Sequence, residues 1–347
     1  MTRIQPIAYG AILMLMTGWL LYIGKDVFVP VFFGAVAVYI IVGLTQALVK
    51  IPLLGRILPV QVRYTLSLLV IALALIAMSY LVLINKNQVL ALAPQYQQSL
   101  LIAIQKIAVL LQVENEPTWA TLRQDVLAQV NIQRVVGSML TSVSSIAAGV
   151  VVVLLYATFL SIERRAFDKK MANISSDSNN VARVRAVIND INRRVGSYLA
   201  LKTFLSVLLG AISWLIMLYT GLEFAAFLAV LITFLNFIPY IGSFLSVVFP
   251  LLMAIIQFQD MNAVFTLFML LLFVQFAIGN FLDPFVMGKS LNLSPFAILV
   301  NLAIWTELWG IPGAFLAVPI TAILTIILSE FPGTRPIAVL LSKDGVL

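Results

Sequence analysis

Long apolar stretches alternate with short polar ones along most of the chain. Apolar runs fall at about Ile7–Ile23, Val27–Leu48, Tyr64–Ile84, Val136–Leu160, Phe204–Leu218, Met261–Ile278 and Ala314–Leu328. Most come close to the ~20 residues that a helix needs to cross a bilayer. Gly24-Lys25-Asp26 separates the first two and predicts a tight polar turn, hence a helical hairpin. No small-residue cleavage pattern follows Arg3 and the first run, so that run is read as a retained helix. Between residues 85 and 137 the pattern changes. Gln, Asn, Lys, Glu and Arg interrupt the apolar residues, and Leu100, Ile104, Val109 and Leu111 recur near helical spacing, which predicts an amphipathic helix. Pro117 marks a break, and a second amphipathic stretch starts at Thr118. The run at 136–160 carries Gly137, Ser138, Ser142, Ser144, Ser145, Ala147, Ala148 and Gly149, a composition that lets helices approach closely in lipid.

The pattern predicts an all-α, polytopic integral membrane protein. Its segments are three N-terminal spans (1–84), an extracytoplasmic amphipathic lobe (85–137), a fourth span (138–162), a basic cytoplasmic segment (163–202) and a C-terminal core (203–347). Composition agrees: 62% of the 347 residues are hydrophobic and 10% charged, whereas soluble domains are closer to half and a quarter. There is no cysteine and no histidine, which removes disulfides, thiol chemistry, imidazole proton relays and Cys/His metal sites. The net charge of +7 reads as a lipid-facing property and not as nucleic-acid binding, because the basic residues gather in loops. Arg164, Arg165, Lys169, Lys170, Arg183, Arg185, Arg193, Arg194 and Lys202 all lie in 163–202, while the longer 85–137 has only Lys86, Lys106, Arg123 and Arg134. By the positive-inside rule the first segment is cytoplasmic and the second outside, with the N-terminus inside.

The last third is apolar but interrupted. Asn236, Pro239, Gly242 and Pro250 break one region. Asn280–Gly313 (NFLDPFVMGKSLNLSPFAILVNLAIWTELWGIPG) breaks another, with Asn280, Asp283, Lys289, Asn292 and Glu307 and with helix breakers at Pro284, Gly288, Pro295, Gly310, Pro312 and Gly313. Charges and unsatisfied backbone groups are disfavoured in lipid, so such segments face protein or a water-filled cavity. Asn236-Phe237-Ile238-Pro239 is similar to Asn280-Phe281-Leu282-Asp283-Pro284, and a glycine follows each, Gly242 and Gly288. Paired Gly/Pro-interrupted apolar segments point to binding sites in secondary transporters. The predicted substrate-binding residues are Asn236, Pro239, Tyr240, Gly242, Asn280, Asp283, Pro284, Gly288 and Glu307. Asp283 and Glu307 are alternatively members of an internal ion pair with Lys289, or groups at headgroup level, and Trp305 and Trp309 read as interfacial aromatics. Gly288-Lys289-Ser290 fails as a phosphate loop, because Asp283 stands where its first glycine is required. No HExxH, hydrolase serine motif or carboxylate cluster is present, so neither an enzyme nor a cofactor is expected, and transport is passive or gradient-driven.

The blocks NFIPYIGSFLS and NFLDPFVMGKSLNLSPFAILVNLAIWTELWGIPGAFLAVPI resemble the autoinducer-2 exporter family, also described as a permease-like transporter family. The resemblance covers nearly the whole chain. It rests on Pro239, Tyr240, Ile241, Gly242, Asp283, Pro284, Gly288, Pro295, Trp309, Gly310 and Gly313. It implies about eight spans with discontinuous or re-entrant segments in the C-terminal half, both termini cytoplasmic, a bacterial inner-membrane location and homo-oligomers, a pentamer among the forms considered. It also implies export of a small polar molecule such as the quorum-sensing signal autoinducer-2. Asn236, Tyr240, Asn280 and freed backbone groups suit an uncharged solute. The alternative is a sodium or lithium/proton antiporter titrating Asp283, with Glu307 second. A second alternative is a non-transporting scaffold whose 85–137 lobe binds envelope partners.

Overall fold

In the computed structural model every regular element among the described residues is helical, apart from one isolated bridge between Leu293 and Ser342. The described residues are 4–49, 58–110, 141, 149–163, 166, 170, 178–258, 260–287 and 291–345. In chain order the helices are α1 (Ile4–Ile23), α2 (Lys25–Val49), α3 (Val60–Leu110), α4 (Gly149–Glu163), α5 (Ser178–Tyr219), α6 (Ala225–Leu235), α7 (Ile241–Gln257) and α8 (Met261–Phe276). A π-helix, Ala277–Leu282, leads into α9 (Asp283–Met287). Then come α10 (Pro295–Trp309), α11 (Ile311–Ser329) and α12 (Arg335–Leu341). Among the described residues five helical stretches are long and apolar enough to cross a bilayer: α2, Val60–Asn85, Val181–Tyr219, Met261–Phe285 and α11.

By internal contacts the chain forms two units, one of residues 1–74, 149–203 and 287–347, the other of residues 75–148 and 204–286. In the first, α2 is the packing spine. A Cβ placed on Gly34 would lie 2.8 Å from the Tyr156 Cβ of α4, and one on Gly43 would lie 2.8 Å from the Ala200 Cβ of α5. Small residues thus bring the helix backbones together where apolar burial drives nothing. The small-residue run expected to do this at 137–148 lies almost wholly outside the described residues. Around these contacts Ala37, Val38 and Ala157 form a buried cluster, and the Tyr39 hydroxyl donates to Asn192 Oδ1 at 2.8 Å. Tyr9, Leu13, Leu15, Met16 and Trp19 of α1 are exposed, as the surface of a membrane helix requires.

The hairpin expected at Gly24-Lys25-Asp26 is a bend. The Gly24 amide bonds the Leu20 carbonyl at 2.9 Å and the Phe28 amide bonds the Gly24 carbonyl at 2.9 Å, Gly24 does not take a positive φ, and α1 and α2 pack together far less than a helical hairpin does. α3 also runs without interruption through residue 85, where the sequence pattern changes. Its polar residues lower hydropathy without breaking the helix, because Gln, Lys and Asn carry no strong penalty there. Residues 111–140 lie outside the described set. α5 joins the end of the basic segment and the following apolar run into one helix. At its start Arg183 pairs with Glu330 just beyond α11.

The C-terminal tail folds back on the start of α10. Ser294 N–H bonds the Leu341 carbonyl at 2.9 Å and Lys343 N–H bonds the Asn292 carbonyl at 3.1 Å. Ser294 then caps α10, accepting from the Ala297 amide at 3.0 Å.

Candidate functional site

Within the second unit, α6 and α7 form a hairpin. Gln257 at the end of α7 reaches the loop before α6, accepting from the Glu223 amide at 2.7 Å and donating to the Gly221 carbonyl at 2.8 Å. At the other end the chain reverses through Asn236–Tyr240. α6 has 11 residues, about 16 Å of helix at a rise of ~1.5 Å per residue, roughly half of a ~30 Å hydrocarbon core. The interrupted region is therefore a helical hairpin, not a single broken span.

The turn is held tightly. Asn236 is buried, and its Nδ2 donates to Ser206 Oγ on α5 at 2.9 Å. On the same face α6 seats on Gly210, where a Cβ would fall 2.0 Å from Thr233 Oγ1. Gly242 is required by closeness: a Cβ there would lie 1.8 Å from the Leu235 carbonyl oxygen. Between them Tyr240 adopts φ 60°, ψ −59°, and the Ile241 amide bonds the Pro239 carbonyl at 2.6 Å across it. This is a γ-turn with positive φ, a rare and strained conformation for a bulky residue. The ring it carries is 53% exposed.

The second predicted segment behaves differently. The chain remains helical through Asn280, Asp283 and Pro284 and loosens into the six-residue π-helix. The Asp283 amide reaches back to the Ile278 carbonyl, one residue further than in an α-helix. Pro284 supplies the reason. It has no N–H to give the preceding turn, and its ring crowds the carbonyl four residues back, so a wider turn just before it relieves both problems. Asn280 is exposed, with its Nδ2 3.3 Å from the Phe276 carbonyl, and Asp283 is half-buried. The likeness between Asn236–Pro239 and Asn280–Pro284 is thus not a structural repeat.

The hairpin that does share features with α6–α7 lies in the first unit. α10 and α11 pack together and are joined at Gly310, whose φ of 67° and ψ of −144° reverse the chain. A Cβ on Gly313 would fall 1.8 Å from the Trp305 carbonyl oxygen, the same device as Gly242 on Leu235. Trp305 and Trp309 are 6% and 5% exposed, with ring centroids 4.9 Å apart. Trp309 also meets Phe32 at 5.5 Å and donates from Nε1 to the Leu21 carbonyl at 2.9 Å, beside the α1–α2 bend. They are interior anchors, not interfacial aromatics. Their four-residue spacing, which puts both on one helix face, was the signal in the sequence. Glu307 sits between them in sequence but is exposed on α10.

The predicted residues therefore separate. Asn236, Pro239, Tyr240 and Gly242 meet in one turn. Asn280, Asp283 and Pro284 sit at a π-helix of the same unit, and Glu307 belongs to the other unit. Gly288, and Lys289 as a partner for Asp283, lie outside the described residues. Among the described residues no group of three or more acids could hold a metal ion.

Comparison with known proteins adds a family. Residues 11–333 match the model of the AI-2E family transporter. TqsA, the AI-2 transport protein of Escherichia coli, is 26% identical over 320 residues, covering 91% of this chain and 90% of its own length. YhhT of the same organism is 28% identical over 284 residues, 81% and 79% of the two chains. A relative in Borreliella burgdorferi is 33% identical over 201 residues, 58% of this chain and only 55% of its own length.

Proposed function

Because the chain belongs to the AI-2E transporter family, we propose that it is a secondary transporter or facilitator exporting a small polar molecule such as autoinducer-2, with the α6–α7 turn in the solute path. The strained, exposed Tyr240 carries this reading. A bulky residue held at positive φ costs about 1–3 kcal/mol and persists where function requires the geometry. The hairpin presents a phenol hydroxyl and turn backbone groups from an apolar scaffold, and hydrogen bonds without net charge are what an uncharged polyol needs. The name of TqsA supports the solute class. A second reading, sodium or lithium/proton exchange, draws on Asp283, a half-buried carboxylate on the π-helical segment. The working form is a homo-oligomer in a bacterial inner membrane with its N-terminus inside.

The test is flux into proteoliposomes of the purified protein. Autoinducer-2 flux is expected in the wild type, reduced about tenfold in Tyr240→Phe for one lost hydrogen bond worth ~1.4 kcal/mol, and intact in Asp283→Asn. Sodium or lithium flux coupled to pH and abolished by Asp283→Asn would replace this reading with the antiporter. Autoinducer-2 flux unchanged in both Tyr240→Phe and Tyr240→Ala would remove the turn from the path.

A further inference from the structure

α3 begins at Val60 and carries Arg63 in its opening residues. Arg63 is 8% exposed, and neither Nε nor Nη1 has a hydrogen-bond partner among the described residues. A guanidinium cannot shed its charge at any accessible pH and presents five donors, and an uncompensated buried cation is strongly destabilising.

The side chains that could answer this charge do not pair with its Nε or Nη1. Thr45 donates to the Ile41 carbonyl at 2.7 Å, and Ser67 donates to the carbonyl of Arg63 itself at 2.9 Å, with the two hydroxyls 3.1 Å apart. These contacts fasten the turn to α2, and neither hydroxyl oxygen accepts from Arg63 Nε or Nη1. Glu163 pairs with Lys170, Asp190 with Arg193 and Arg194, and Glu330 with Arg183. Among the described residues no Asp or Glu is buried as a whole residue. The helix dipole adds to the problem, since its N-terminal end repels a cation and attracts an anion. The first-turn amides of Val60, Gln61 and Val62 have no acceptor within the helix. Arg63 and the first-turn amides call for an oxyanion that the described carboxylates do not supply.

We propose that Arg63 and the first turn of α3 bind a phosphate-type oxyanion, either a phospholipid headgroup or phosphate from solution. Phosphate matches the planar guanidinium fork. The apolar run opens at Tyr64, which places the site where a bilayer's phosphates begin, and basic pockets between membrane helices are known headgroup sites.

The test uses the full chain purified in a neutral detergent, its melting temperature followed while phosphatidylglycerol, phosphatidylcholine or inorganic phosphate is added. Phosphatidylglycerol is expected to raise the melting temperature. Arg63→Met should weaken that response at least tenfold, Arg63→Lys severalfold, and Arg193→Met, an exposed arginine, not at all. A rise with phosphatidylglycerol and not with inorganic phosphate supports the headgroup; a rise with both supports the ion itself. Equal responses in wild type and Arg63→Met, or no response of the wild type to any probe, would overturn the proposal. If Arg63→Met does not fold, an Arg63→Lys affinity equal to wild type overturns it instead.

Discussion

Gly242 and Gly313 do the same work in different units. Each starts a second helix against the last turn of the first, where a Cβ would lie 1.8 Å from a backbone carbonyl oxygen. A carbonyl cannot swing aside as a side chain tip can, so Gly242→Ala and Gly313→Ala are expected to cost about 1–3 kcal/mol or more as overpacking. Thermal melts of the purified protein would show this as a clear loss. Gly279→Ala is the control: nothing lies within 4 Å of its Cβ, and alanine there should be neutral or mildly stabilising. In the sequence these positions were visible only as Gly/Pro breaks. Gly242 stood out beside Pro239, but Gly313 did not stand out as its counterpart, because the partner carbonyl of Trp305 is eight positions away and becomes a neighbour only when the chain reverses.

Helices here are joined by few, well-placed polar contacts. The Asn236–Ser206 bond is one, tying the α6–α7 turn to α5. Hydrogen bonds between membrane helices contribute only about 0.6 kcal/mol on average, so a double-mutant cycle of Asn236→Ala and Ser206→Ala should give a coupling of about 0.5–1.5 kcal/mol. A coupling of zero would mean that Gly210 and the apolar packing hold the turn unaided. Interrupted segments were readable in the sequence as such, yet the kind of interruption was not. Proline after Asn280 gives a widened helical turn, while proline after Asn236 gives a reversal with a strained tyrosine. The local strings are alike, and the difference lies in what each segment packs against.

At the scale of the molecule, the basic residues of 163–202 outnumber those of the longer 85–137, and by the positive-inside rule this asymmetry predicts that 163–202 is cytoplasmic. With no native cysteine, single cysteines report position without background. Ser175→Cys is expected to react with an impermeant thiol reagent only after permeabilisation, and Gln98→Cys in intact cells. The reverse pattern would invert the orientation.

Hydropathy alone was enough to make this an all-helical membrane protein, because the cost of bare backbone groups in lipid leaves helices as the economical solution for runs of this length. The blocks Asn236–Ser246 and Asn280–Ile320 together were likewise enough to point to the family. Neither could report that α1 and α2 bend without reversing, that Trp305 and Trp309 are interior, or that Arg63 is buried with Nε and Nη1 lacking a partner. Those facts depend on which residues distant in sequence come together. In a chain whose apolar residues face lipid and interior alike, composition does not distinguish the two faces, so only close contacts at glycines and a few hydrogen bonds reveal them.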